Sequence, residues 1–330
     1  MFLPEFTITT KVLNSIAKAE YARSIIENTA ILQTWQNQLT KDAKTDTIFA
    51  GLQTEGINLG YETVKKYVYE LSNQSPIPEL ASFVNAYKAA SELAVNNDLQ
   101  EQDIKYLARI ILTDVLPRTR QNSYRSIELQ NRIRPEEVLA EITEFVDWLN
   151  TREAREEHPI IVSAITKFTI LNISPIDQFN NWISSLLCKL VLNTRNYSFK
   201  NWLSLEDSFY KDRDEIDLLT NEIGVNSDYT QVLEYFSEQL ADRALNLGEQ
   251  VKLLAKDTKV AKVSGRTKLT ERQQNILAYL QDYGILQNKD FPALFPKISE
   301  DSVLRDLKTL IDAGLIVKSG STKSSRYELK

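Results

Sequence analysis

The chain has 330 residues, a net charge of −6, and 42% hydrophobic against 25% charged residues, an ordinary globular balance with room for about two domains that bury cores of their own. Nine Gly and nine Pro are too few for the turns of an all-β fold, and one cysteine, Cys188, excludes an internal disulfide and suits a reducing, cytoplasmic setting. One Cys and one His cannot supply metal-ligand spacing, and neither a signal peptide in MFLPEFTITT nor an apolar run of about 18 residues is found, so no metal, cofactor or membrane span is expected.

The first 260 residues read as helices almost throughout. Val12, Ile16, Ala19, Ala22 and Ile25 keep a helical period, as do Val64, Tyr67, Val68 and Leu71. Pro76 and Pro78 break the chain before a helix over residues 79–95, and another follows over 102–113. Residues 117–134 are polar, with a strand-like piece at 126–129. A helix over 135–149 carries Val138, Ile142, Val146 and Trp148. Residues 159–173 are strongly apolar, and Trp182, Ile183, Leu186, Leu187, Leu190 and Val191 mark a second buried helix. A long amphipathic helix spans about 230–255, and the basic stretch 256–268 reads as a linker.

The charge is unevenly placed. Residues 252–330 carry a balance of +6 and the remainder −12, which points to a polyanion as partner of the tail. In that tail Thr270 and Gln273 make a capping-box pattern opening a helix with Ile276, Leu277 and Leu280 inward. A short helix over 288–294 stops at Pro296, and Ser299 opens a third with Val303, Leu304, Leu307, Leu310 and Ile311 as its apolar stripe. Gly314 suits a left-handed turn. Leu315 and Val317 alternate in one strand and Tyr327 and Leu329 in another.

Three helices and a short β-hairpin over residues 268–330 resemble the winged helix-turn-helix family. The resemblance implies a helix offered to the major groove of double-stranded DNA, with Ser299, Ser302, Arg305 and Lys308 on it, Lys297 in the turn before it, and Lys318, Lys323 and Arg326 on the wing. Glu300 and Asp301 oppose phosphate contact and also suit a helix N-terminus.

The body carries a second resemblance. His158-Pro159 opens a helix that leads to Ile173-Ser174-Pro175-Ile176-Asp177-Gln178-Phe179-Asn180-Asn181-Trp182 and then to the buried helix. In framework this is similar to the Fic family, whose loop reads HPFxDGNGRxxR and whose members mostly transfer AMP from ATP to protein hydroxyls. Residues 17–28 are like the family's N-terminal regulatory helix, Glu55-Gly56 followed by Glu62 is like its inhibitory motif, and 204–213 are like a stretch after its catalytic helix. Many members also end in a winged helix. The whole chain then divides into a regulatory part (1–75), a Fic-like core (76–256), a linker (257–267) and a winged helix (268–330).

The loop departs from that pattern where the chemistry lies. The general-base histidine becomes Ser174, which cannot take a proton from a hydroxyl near neutral pH. The metal-binding acid becomes Gln178, and the glycines that admit phosphate become Phe179 and Asn181. The arginines become Trp182 and Ser185. Pro175, Ile176 and Asn180 keep the loop's shape, and Asp177 lies one residue from the acid position. Glu55 matches the inhibitory glutamate, whose partner arginine is Ser185 here, and the target-docking flap near 126–134 is short. The expectation is a mainly α, catalytically inactive Fic-like bundle joined to a DNA-binding winged helix. Its body would dimerise or sense a ligand or protein partner. The alternatives are an interaction or antitoxin-like component whose winged helix binds protein, and a residual nucleotidyl transferase.

Overall fold

The computed structural model describes residues 2–70, 77–94, 99–113, 124–129, 132–263, 269–296, 298–320 and 325–329. They divide into two compact units, Met1–Asn28 with Lys41–Glu249, and Thr29–Thr40 with Gln250–Lys330. The expected regulatory part, apart from residues 29–40, therefore shares one unit with the expected core up to residue 249, and the boundary falls at 250 rather than in a linker at 257–267. The reason is local: the last long helix runs on to Val263, because Lys, Ala and Val are compatible with a helix even without an apolar period. Residues 264–268 lie outside the described residues.

In chain order the helices are α1 (Thr10–Asn28), α2 (Gln33–Thr54), α3 (Tyr61–Glu70), α4 (Pro78–Leu93), α5 (Glu101–Leu112), α6 (Val138–Leu149), α7 (Arg152–Glu156), α8 (Pro159–Ile173), α9 (Asn180–Thr194), α10 (Glu206–Lys211), α11 (Arg213–Asn226) and α12 (Thr230–Val263). The centre of the first unit is α8, which buries every residue except Pro159 and Asn172. A helix with no polar stripe must be enclosed, and α8 packs on α6, α9 and α11, while α9 also meets α4 and α5. Pro159 takes the first helical position, where its missing N–H costs nothing. The lone histidine, His158, caps this helix, its Nδ1 accepting from Ile160 N at 3.2 Å.

Several expectations shift in detail. On α1, Val12, Ala19 and Ala22 are buried, but Ser15 and Ile26 complete the inward face while Ile16 and Ile25 are half-buried. Residues 126–129 form no strand; Arg125 beside them hydrogen-bonds to a loop instead of a ladder. Leu71 and Pro76 lie outside the described residues.

The second unit adds α13 (Glu271–Tyr283), β1 (Ile285–Gln287), α14 (Phe291–Leu294), α15 (Glu300–Asp312), β2 (Ile316–Ser319) and β3 (Arg326–Leu329). Its sheet runs β1-β3-β2, antiparallel throughout, with Leu286 opposite Tyr327 and Ile316 opposite Leu329. The strand β1 was not legible, since three residues between a helix and a turn carry no alternation. Within β2 the inward residue is Ile316 and Val317 is exposed, the reverse of the expected face. Ile276, Leu280, Val303, Leu307, Leu310 and Phe291 fill the core.

The capping box at the start of α13 forms, with Gln273 N donating to Thr270 Oγ1 at 3.3 Å and Thr270 N to Gln273 Oε1 at 3.0 Å. Gln273 Nε2 also donates to the buried Asp306 Oδ1 at 2.9 Å, and Arg272 pairs with the other carboxylate oxygen. One acid thus ties α15 to the N-terminus of α13. Asp306→Ala leaves Gln273 and Arg272 without that acceptor, so it should destabilise the second unit by roughly 1–3 kcal/mol, while Asp301→Ala on the exposed face of α15 should change little. Hydrogen exchange across residues 271–312 of the full chain checks both.

Candidate functional site

The link between α8 and α9 is a tight, buried loop. Ser174 ends α8 with φ 47 and Phe179 precedes α9 with φ 68, left-handed conformations that non-glycine residues adopt only when neighbours impose them. Those neighbours are visible. Asn180 Oδ1 accepts from Ile176 N at 3.1 Å and Asn180 Nδ2 donates to Ile176 O at 2.7 Å, closing the loop on itself. Arg125, buried, donates from Nε to Ser174 O at 2.7 Å and from its backbone N to Pro175 O at 2.8 Å. Ser174 Oγ donates to Leu171 O at 2.6 Å, so this hydroxyl serves the backbone. Ile176 is fully buried, whereas Gln178 points to solvent.

The N-terminus of α9 has no side-chain cap of its own and would leave N–H groups unsatisfied. Glu55, at the end of α2, supplies the acceptor. Its Oε1 takes Trp182 N at 2.8 Å, and its carboxylate also takes the N–H of Asn181. The residue is half-buried with its carboxylate turned inward. Desolvation pushes that carboxyl up to about 7, against the lowering pull of the two N–H groups and of Lys167 and Arg213. A carboxylate on a helix N-terminus is a stable arrangement, and here the chain provides the anion itself.

Trp182 is the third residue of α9. It is completely buried, stacked on Phe83 at 4.8 Å between centroids with 10° between planes. Phe179 meets the same Phe83 edge-on at 5.5 Å. Room for the indole comes from Gly51 on α2: a Cβ there would lie 2.5 Å from the Trp182 ring.

Below this lies a buried polar cluster that sequence reasoning missed. Lys167 of α8 is 2% exposed; its Nζ donates to Ser185 Oγ at 2.9 Å and lies 4.2 Å from the centroid of Phe209. Burial lowers its pKa below the usual lysine range. Glu206, also buried, accepts from Thr47 Oγ1, Ser204 Oγ and Leu205 N within 3.1 Å. Burial pushes the Cys188 thiol up to about 12, which removes it as a nucleophile near neutral pH. Lys167, Asn181, Ser185, Glu206 and Arg213 line a cavity of about 10 Å³, room for about one water. The lysine lay unnoticed because it falls inside an apolar run, where a lone charge reads as an interruption; its Ser185 partner is 18 positions away.

The structure thus brings Asn181, Trp182, Ser185 and Glu55 together and leaves Gln178 outside. Among the described residues no group of His, Cys, Asp and Glu could hold a metal ion, and no helix is long and apolar enough to cross a membrane.

A second candidate surface lies on the second unit. Arg305 and Lys308 are exposed on α15, and Lys318 and Arg326 are exposed on the β2–β3 hairpin. None of the four forms an ion pair with the described residues; Lys318 Nζ lies 5.8 Å from the centroid of Tyr327. Ser302 is half-buried, and Ser299 begins α15 with its Oγ 2.9 Å from Ser302 Oγ instead of on a backbone N–H. Lys297 and Lys323 lie outside the described residues.

No family model matches the chain. A tRNA(Ile)-lysidine synthase from Mesoplasma florum is 27% identical over 207 residues, 59% of this chain and 51% of that protein, so the chain spans about half the length of the curated relative it matches. Solved structures are more informative about fold. A Fic family protein from Desulfovibrio desulfuricans G20 superposes with a TM-score of 0.64 over 100% of this chain and 98% of that one, at 18% identity. A Fic domain containing signaling protein from Bacteroides thetaiotaomicron gives 0.60 over 75% of this chain and 98% of that one at 17% identity, and Fic-1 from C. elegans 0.58 over 74% of each at 14%. The chain has a mainly helical, Fic-like fold.

Two outcomes follow from the α9 N-terminus. Because the folded-state pKa of Glu55 is raised, its contribution to stability is fully present below about 4.5 and is lost as pH rises toward about 7, by at most roughly 3 kcal/mol before solvent screening. Glu55→Gln keeps an acceptor oxygen without the charge, so the difference in Tm between variant and wild type should grow in the variant's favour between pH 5 and 8, as calorimetry would record. Gly51→Ala gains helix propensity yet drives a methyl into the indole, and should cost roughly 1–3 kcal/mol net. Combined with Trp182→Leu, the loss should be smaller than the sum of the two single losses, measured by denaturant titration.

Proposed function

We propose that this chain is a DNA-binding regulator built on a Fic-like body that does not transfer nucleotides. The observation that carries the DNA-binding part is the set Arg305, Lys308, Lys318 and Arg326, exposed on one helix and the hairpin that follows it and without an ion pair among the described residues. Read as a winged helix-turn-helix, the second unit offers α15 to the major groove and the hairpin to the backbone. Cations that form no ion pair among the described residues there can meet phosphates. Tight specific reading needs more surface than one small module gives, so the body is assigned the role of joining two copies. Leu13 and Tyr21, exposed on α1, suit such a contact.

Loss of catalysis is inferred from the replaced side chains and from what now fills their place. No histidine base or arginine pair stands on the loop, the N–H groups that would cradle a phosphate are taken by Glu55, and the indole of Trp182 occupies the space behind them. An in-line transfer needs a positioned base and concentrated positive charge at the phosphoryl group. A second reading, a module that binds protein, is favoured by the exposed Glu300 and Asp301 at the leading end of α15, where a helix entering a groove meets phosphate.

Full-length protein should shift duplex genomic fragments at low salt and release them steeply as salt rises. Arg305→Ala should cost roughly 1–3 kcal/mol and relax preference at one base position, while Lys318→Ala should weaken all sequences alike and flatten the salt slope. No labelled protein should form with labelled ATP and Mg²⁺. Absence of any shift at low salt would transfer the assignment to protein binding, and labelling abolished by Asn180→Ala would overturn the loss of catalysis.

A further inference from the structure

The chain's single histidine stands where its protonation state decides a contact. His158 caps α8, the enclosed centre of the first unit, with Nδ1 accepting from Ile160 N at 3.2 Å. A nitrogen that accepts carries a lone pair, so the one proton of the neutral ring sits on Nε2. That nitrogen lies 3.3 Å from Glu20 Oε1 on α1 and donates to it. Both edges of the ring are therefore satisfied together only in the neutral form. The imidazolium has a proton on each nitrogen, and its Nδ1 then points a hydrogen at the Ile160 N–H it was capping. The cap is lost, while the attraction to Glu20 grows.

What surrounds the ring makes this more than a local cap. Tyr197, buried in the turn after α9, meets His158 edge-on at 5.3 Å between centroids. Arg23 of α1 covers the other side of Tyr197, 4.7 Å from the ring centroid, and its Nη2 donates to Asn196 O at 3.2 Å. The same guanidinium pairs with Glu27 at 2.9 Å and with Glu20 at 3.5 Å. The turn held in this way is strained. Asn196, Phe199, Lys200 and Asn201 have φ of 56, 48, 56 and 59, left-handed values that non-glycine residues keep only under constraint. α1 packs directly on that turn. His158, Glu20 and Arg23 thus join the start of the central helix, one face of α1 and a strained turn.

We propose that His158 is a proton-operated latch on the central helix: neutral, it caps α8 and seats the Tyr197 turn under α1; protonated, it leaves the cap for Glu20 and frees the first turn of α8 and the turn after α9. The charged and titratable groups facing the ring are Glu20 and Arg23 from α1, Glu157 just before it and Tyr197 after α9. Burial lowers the imidazole below the usual histidine range, with Arg23 adding to it and Glu20 and Glu157 opposing. A lowered folded-state pKa means that the latch's stabilisation is fully present above about 6.5 and is lost as pH falls through the folded value. That sign is opposite to the one at Glu55, so the two can be told apart. The bland competitor is a helix cap that happens to be a histidine and whose titration disturbs nothing beyond its own ring.

A lone histidine gives one imidazole signal pair, so nitrogen-labelled full-length protein reports its tautomer and titration directly by NMR. The ring should be the Nε2–H tautomer near pH 8 and titrate with a midpoint below the ordinary histidine value. Hydrogen exchange over residues 160–162 and 196–201, corrected for intrinsic rates, should speed up at least about fivefold between pH 7.5 and 5. His158→Asn keeps a capping acceptor that does not titrate, and in it the same change should stay below about twofold. Glu20→Gln leaves the cap untouched and removes the carboxylate that favours the imidazolium, so its midpoint should fall further; this readout holds even where His158→Asn fails to fold. An Nδ1–H tautomer, a midpoint at or above the ordinary value, a midpoint unmoved or raised in Glu20→Gln, or exchange that responds to pH equally in His158→Asn would overturn the latch. The DNA and ATP experiments are independent of it.

Discussion

The N-terminus of α9 must have an acceptor, and the architecture of the first unit turns on where it comes from. The loop before α9 spends its side chains on itself: Asn180 on Ile176, Ser174 on Leu171. The first N–H groups of the helix are left pointing into the protein. Glu55 reaches them only because α2 ends at Thr54 beside them and turns away through Gly56 at φ 78. That placement requires α2 to pass close over α9, which Gly51 permits by leaving the indole of Trp182 its space. A single carboxylate therefore constrains the end of one helix, the start of another and the aromatic stack with Phe83.

The cost of this arrangement appears in the charges. Glu55 is held near its ionisation point by desolvation, and Lys167 is buried with hydroxyls and an aromatic face for company. Buried opposite charges seldom add net stability, but removing either one strands the other. The cluster of Lys167, Ser185 and Glu206 fills the space between α8, α9 and α10 almost completely. Here it leaves about 10 Å³.

The second unit follows a different economy. It holds its helices together with one acid, Asp306, and an apolar cluster, and it leaves the cations of α15 and the hairpin facing water. Paired arginines serve structure in the body, as Arg243 does with Asp207 and Ser208. On α15 and the hairpin, Arg305, Lys308, Lys318 and Arg326 form no ion pair among the described residues.

How much of this was legible follows from the range of the interactions. Periodicity and capping act over three or four residues, so α4, α5, α8 and α9, the capping box at Thr270 and the buried stripe of α15 could be read directly from the chain. Extent and register were less visible. The run of α12 to Val263, the three residues of β1 and the inward face of β2 depend on neighbours that no local pattern announces. The site itself was decided in three dimensions. That Glu55 meets the N–H of Trp182, 127 positions away, that Lys167 meets Ser185, and that His158 meets Glu20 are consequences of helices crossing. Sequence alone determined which side chains stand at each position of the loop, because identity at a position needs no partner. Only the tertiary structure decided what those side chains meet, because burial and hydrogen bonding belong to pairs of residues that the fold brings into contact.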